Sequence, residues 1–233
     1  LLEFFMLFLA VFLGFIAENI REHSVEKERL HQYLRSMLSD INRNTEAMDS
    51  AIKQNKTMIV NYRELMDGLL QDTFMLDRFA FAKKMGAVWY RGFINKNETF
   101  EQMKSSGTLR YIRNENLLNG ILQYQTVTNF AQYRTEHFEQ KYYTENFLPT
   151  LYRNFDLPCL HFLDTAYTNH PEFLRQFDNH SDILTERNAK KFRQEVGAAF
   201  MLRLERLRVT ITAYQRAILE AGKLKPMIEK ELN

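Results

Sequence analysis

The chain is short of the residues that bend or staple a backbone. Of its 233 residues eight are glycine and four proline, about 5% where a globular chain usually carries about 12%. So few turn formers exclude a many-stranded sandwich or barrel and predict long helices. A single cysteine, Cys159, excludes an intramolecular disulfide framework and any zinc site with two thiolate ligands. Net charge is nearly missing too: 31 Lys and Arg stand against 29 Asp and Glu, a balance of +2. That excludes a polycation built for nucleic acid or for a membrane surface. No Walker, Rossmann, nucleophile-elbow, HExxH, EF-hand or CxxC pattern occurs. The expectation is a non-enzymatic protein that needs no cofactor and no metal.

What is present begins at the first residue. The opening LLEFFMLFLAVFLGFIA holds one charge, Glu3, and nothing polar from Phe4 to Ala17. Seventeen helical residues span about 25 Å, a little less than the ~30 Å hydrocarbon core. A buried core helix would carry a polar stripe, and this run has none. A cleaved signal peptide would need a basic start and a small-residue cleavage site; Gly14 and Ala17 offer a weak site, but the charged segment after them continues in helical pattern. Residues 1–18 are therefore expected to form a transmembrane anchor, with Glu3, Phe4, Phe5, Leu13 and Ile16 as its membrane-facing residues. Glu3 lies near the end of the segment, where it can snorkel to the interface. Just beyond the run, Arg21, Lys27 and Arg29 are matched by Glu18, Glu22, Glu26 and Glu28. This is no basic stop-transfer cluster. The expected topology is a single pass through a bacterial inner membrane, with the bulk of the chain periplasmic.

After Glu18 no glycine occurs until Gly68 and no proline until Pro149. Alternate steps of four and three from Leu34 meet Leu38, Ile41, Thr45, Met48, Ile52, Asn55, Ile59, Tyr62, Met66 and Leu69, a sustained 3.5-residue repeat. Leu34, Leu38, Ile41, Met48, Ile52, Asn55 and Ile59 form a candidate interaction seam. It is to be buried against the rest of the chain or against copies of it. Asn55 either fixes register on the seam or drifts toward solvent, because a straight helix slips about 20° per heptad. A continuous helix over 19–72 would stand about 80 Å long.

The second half reads as a return bundle. Middle helices are expected over 73–155: a short one from Thr73 to Met85, another opened by a capping box at Thr99 and Gln102, and a longer one from Glu115 to Phe147 capped by Asn114. Ser106-Gly107 stops the second of these in a left-handed turn. Lys104, Gly107 and Arg110 mark that turn as a docking candidate. Pro149 and Pro158 signal a break, then an elaborated loop over 156–181. A final helix is expected over 183–221, with Phe200, Leu204, Leu207, Ile211, Tyr214 and Ile218 in four-three steps, stopped at Gly222 before a short tail helix begun by Pro226. The fold class expected is all-α: an anchor continuing into a heptad-patterned helix, with an antiparallel helical bundle over 19–233.

Three groups were weighed for chemistry. Cys159, His161, Asp164 and His170 cluster in the proline-bounded loop, but their spacing matches no metal motif and reads as structural. His23 and His31 share a face of the membrane-proximal helix, which reads as solvated. Lys190, Lys191, Arg193, Arg203, Arg206 and Arg208 make the last helix look basic, yet Glu186, Glu195 and Glu205 offset them and no stacking platform interleaves, so no nucleic-acid partner is expected. Tripeptides at Asn55, Asn97 and Asn179 match the glycosylation acceptor, a pattern common by chance. The many Phe and Tyr residues read as core.

The opening EFFMLFLAVFLGFIAENIREH, the helix with Leu34, Leu38 and Ile41, and the stretch FEQMKSSGTLRYIRNENLLNGILQYQ (Phe100 to Gln125) together resemble an uncharacterised membrane-anchored helical family of Bacteroidota. The likeness centres on Ser106-Gly107 followed by Leu109, Arg110 and Ile112. It implies an inner-membrane protein and carries no activity or site residue with it. The expected partners are the lipid bilayer and either other membrane protein subunits or further copies of the chain, in the role of a scaffold or accessory subunit. The alternative is the ligand-sensing bundle of a membrane receptor.

Overall fold

The computed structural model describes residues 2–70, 76–85, 92–156, 159 and 181–233. It is all-α apart from one two-residue strand pair. In chain order come α1 (Leu2–Leu70), β1 (Leu76–Asp77), α2 (Arg78–Met85), α3 (Glu98–Ser105), a 3-10 turn (Thr108–Tyr111) and α4 (Glu115–Tyr133). Two π-helical segments follow, Arg134–Gln140 and Tyr143–Phe147, then α5 (Leu148–Asn154), β2 (Ile183–Leu184) and α6 (Glu186–Leu232). The chain divides into two compact units, one of residues 1–46, 95–127 and 217–233 and one of 47–94 and 128–216.

In the first unit, no residue of α1 from Glu3 to Arg29 is buried, and the core begins at Leu30. Leu30, Leu34, Met37 and Ile41 pack with Phe100, Met103, Ile112, Leu117, Ile121, Tyr124, Ala221, Leu224 and Ile228. Glu231, at the end of α6, lines the same cleft as His23 and His31 of α1, so these two helices run antiparallel here. A polar ladder rises along α1 one turn at a time. The Ser36 hydroxyl lies 3.0 Å from that of Thr99. Asp40 accepts from the Thr99 backbone N–H and hydroxyl at 3.3 and 2.5 Å. Asn44 donates to the Asn95 side chain, the Lys96 carbonyl and the Tyr124 hydroxyl, and accepts from the Lys96 N–H at 2.8 Å.

This ladder replaces the capping box expected at Thr99 and Gln102. α3 starts at Glu98, and its N-cap Asn97 makes no side-chain cap bond. The carboxylate of Asp40, from another helix, takes the free donor of the first turn instead. Asn114, in contrast, caps α4 as expected, accepting from the N–H groups of Asn116 and Leu117.

The second unit has an aromatic core. Phe200 lies 5.0 Å from Tyr62, 5.8 Å from Phe147 and 5.9 Å from Phe81, ring centre to ring centre. Phe192 stands edge-on to Phe81 and Phe155. Part of the aromatic content is therefore spent on core, as expected, while Phe4, Phe5, Phe8, Phe12 and Phe15 of α1 are exposed. Leu76 pairs with Leu184 and Asp77 with Ile183, antiparallel. The Asp77 carboxylate caps α2 through the Phe79 and Ala80 N–H groups. Both neighbouring helices thus start later than expected, α2 at Arg78 rather than Thr73 and α6 at Glu186 rather than Ile183.

The expected stop at Gly222 does not occur. α6 runs through Gly222 and Pro226 to Leu232. An interior proline costs about 3 kcal/mol, while burying Leu224 and Ile228 returns about 1.5–3 kcal/mol each, and both are at most 1% exposed. Gly222 and Pro226 are on the solvent side, so water satisfies the carbonyl that proline leaves without a donor. Pro149 likewise breaks nothing, because it sits in the first turn of α5, where a missing N–H is harmless. Residues 157, 158 and 160–180, with Pro158, His161, Asp164, His170 and Asn179, and residues 71–75 and 86–91 lie outside the described set.

The segment from Ala131 to Phe155 buries every fourth residue: Ala131, Thr135, Glu139, Tyr143, Phe147, Leu151 and Phe155. On an α-helix a four-residue step over-rotates by about 40°, and six such steps would carry the stripe most of the way round. The wider π turns at 134–140 and 143–147 take up that excess, keeping one face inward.

Ile52, 7% exposed, tests the core directly. Ile52→Asp is expected to cost several kcal/mol by burying a carboxylate without a partner. Thermal unfolding checks this, and an unchanged melting temperature would place that face of α1 in solvent.

Candidate functional site

The anchor residues Glu3, Phe4, Phe5, Leu13 and Ile16 are all exposed. Between Phe4 and Ile16 eleven large apolar side chains are 37–74% exposed. One helix in the described residues, the one beginning at Glu3, is long and apolar enough to cross a membrane, and none of its apolar window is buried within the chain. Leaving eleven such side chains in water forgoes on the order of 20 kcal/mol of burial, more than the whole stability of an ordinary domain.

The seam residues sit in the chain's own core. Leu34 and Ile41 are fully buried in the first unit, and Met48, Ile52, Asn55 and Ile59 are buried in the second. Leu38 is only half-buried; Met37 takes the inward position beside it. Asn44 likewise replaces Thr45 on the buried line, and Leu65 replaces Met66. Asn55, at 4% exposure, has not drifted to solvent.

At the turn, Gly107 has φ +71°, the left-handed conformation expected of it. A side chain there would meet nothing within 4 Å, so a substitution is opposed by backbone strain of about 1–3 kcal/mol and not by crowding. Lys104 is exposed beside Glu101. Arg110 lies over the ring of Tyr111, 4.9 Å from its centre, and donates to its hydroxyl.

The first unit holds a cleft of about 660 Å³ beside this turn. Its α1 wall is His23, Glu26, Lys27, Leu30 and His31; its other walls are Arg110, Tyr111, Arg113 and Glu231. His23 and His31 thus border one cleft, His23 exposed as expected and His31 half-buried. Glu26 is engaged by His23 at 3.4 Å.

Of the loop group weighed for metal, only Cys159 is described. It approaches Asp156 and Asp182 closely enough for three ligand atoms to lie within 4.8 Å of one another. Asp182 is already held by Arg78 at 2.6 Å, and Asp156 Oδ1 accepts the Cys159 N–H. Burial, with the Asp156 carboxylate beside it, pushes the Cys159 thiol up, away from the thiolate a metal needs.

The second unit hides a pair that sequence reasoning missed. Arg203 was counted among surface cations, yet it is 1% exposed and bonded to Glu139, itself 2% exposed. The guanidinium lies over the rings of Tyr143 and Phe147, at 5.3 and 5.9 Å. Burial raises the Glu139 carboxyl above its ordinary range although Arg203, Arg206 and Arg134 pull it down. Burial also raises the Tyr62 phenol. The four-residue period that places Glu139 inward was the only available signal.

No family model, characterised protein or solved structure matches the chain. The residues and their physics carry the reading alone.

Arg203→Met should destabilise by about 3–5 kcal/mol, because Glu139 stays buried without its cation. Removing a positive charge raises the Glu139 pKa further in the folded state. The folded chain then binds its proton more tightly than the unfolded one, and stability falls as pH rises through that window. The loss should be smallest below about pH 4.5, the ordinary value of the group, and grow toward neutrality. Adding Glu139→Gln should recover most of it. Denaturant unfolding of the single and double variants across pH checks this.

Proposed function

We propose that the chain is a non-enzymatic, single-span membrane protein whose helical region acts as a scaffold or accessory subunit, docking on a membrane protein complex or on further copies of itself. The observation that supports this best is the uncovered apolar stretch from Phe4 to Ile16, which is exposed among the described residues. Because the heptad seam is filled by the chain's own side chains, docking falls on exposed surface instead. Lys104 at the Gly107 turn offers one such place. The exposed Phe130 and Tyr133 at the end of α4, with Phe138 on the π segment, offer another. The alternative, a ligand-sensing bundle, draws on the cleft of the first unit.

The full chain carrying a photo-crosslinker at Lys104 or Phe130 should form a discrete adduct in native membranes, either with one other membrane subunit or with itself. No adduct from either position, together with a monomeric chain in mild detergent, would overturn the docking reading. For orientation, the balanced charges after the anchor favour placing the helical region outside the cytoplasm of a bacterial inner membrane. Lys96→Cys, at an exposed position, should react with an impermeant thiol reagent in intact spheroplasts. Reaction only after lysis reverses the topology.

A further inference from the structure

We infer that the cleft of the first unit binds the phosphate of an anionic lipid headgroup in the leaflet the anchor enters; this rests on the membrane reading above.

Three cations line the cleft, and none of them has a carboxylate within ion-pair distance among the described residues. Lys27 and Arg113 make no ion pair or hydrogen bond among the described residues, and Arg110 donates to the neutral Tyr111 hydroxyl while lying in the field of the Glu26 carboxylate, without an ion pair to it. Exposed lysines such as Lys53, Lys56 and Lys230 are also without an ion pair among those residues; what sets the cleft apart is that three cations converge on one concavity. Unpaired cations gathered around one concavity are complementary to an anion, and two arginine forks suit phosphate oxygens. The cleft's own acids, Glu26 and Glu231, leave its fixed side-chain charge at +1 with histidine neutral.

Position selects a lipid as the source of the phosphate. The cleft opens at His23, five residues past Glu18 and about 7 Å along the helix, the thickness of one headgroup layer at about 5–8 Å. Lys27 is about 13 Å out at its backbone. Side chains on a helix tilt toward its N-terminus, which for α1 is the membrane. A lysine reaching back by about 6 Å brings its ammonium to phosphate depth. At about 660 Å³ the space suits a headgroup with its glycerol, within the range of about 300–1,000 Å³ for small-molecule sites.

The test uses the full chain in detergent, wild type against Lys27→Glu/Arg113→Glu, both exposed positions. Lipid retention is read by native mass spectrometry with phosphatidylglycerol, phosphatidylcholine or inorganic phosphate added. Wild type should retain phosphatidylglycerol over phosphatidylcholine by about tenfold or more, and the double variant should lose that preference. Equal retention of the two lipids by wild type, or a preference that survives the double substitution, overturns the proposal. Inorganic phosphate at millimolar levels that displaces the lipid completely would assign the cleft to a soluble anion and overturn the lipid assignment. Flotation with neutral vesicles separates this from the anchor. Both forms should float, and failure of wild type to float would sink the membrane reading rather than the cleft.

Discussion

A helix that is apolar all round, then polar all round, then apolar on one side must change its surface twice without changing its backbone, and α1 does so within thirty residues. Up to Ala17 it is apolar on every side. From Glu18 to Arg29 it is charged on every side, and nothing is buried. From Leu30 onward it is apolar on one side only. Intrahelical hydrogen bonds satisfy the backbone in all three settings, so only side chains need to differ. The core of the first unit is built on the opening turns of this third stretch.

Apolar contacts alone would leave that arrangement loosely specified, since a stripe of Leu, Ile and Met tolerates sliding. Polar groups on α1 remove the freedom. Ser36, Asp40 and Asn44 stand one turn apart, and each meets a specific group of the segment 95–99. A slip by a turn would leave a buried amide or carboxylate without its partner, at about 1–3 kcal/mol for each group. In the second unit the Glu139–Arg203 pair acts in the same sense. A buried pair adds little net stability, but a shifted helix would separate it at a large cost.

The helical class, the uncovered apolar helix at the start of α1, the Asn114 cap and the left-handed Gly107 were legible because each rests on local chemistry: period, polarity, a side chain bonding its own helix, a missing Cβ. Places where a distant part of the chain intervenes were not legible. The Thr99 hydroxyl looked like a cap and instead serves Asp40, 59 residues away. Gly222 and Pro226 looked like stop signals, and burial of Leu224 and Ile228 overrides them. The seam was right in period but shifted by one residue at Met37, Asn44 and Leu65. Met37 lies beside Ser36, which meets Thr99, and Asn44 is itself bonded to Asn95 and Lys96; an apolar count cannot weigh a buried asparagine. From Ala131 to Phe155 the inward period is four and the backbone widens to match it, which the helix expected from Glu115 to Phe147 did not foresee. Cleft residues such as Lys27 and Arg113 come from different elements, and no spacing along the chain announces them.

The first unit is assembled from three separate pieces of chain, the last being residues 217–233. Ala221, Leu224 and Ile228, which cover Leu30 and Leu34, follow them in the chain by about 190 residues, a stretch that a ribosome adding about 5–20 residues per second takes about 10–40 s to make. During that interval the stripe at Leu30 and Leu34 is without its α6 cover, and whatever shields it must yield when those turns of α6 arrive.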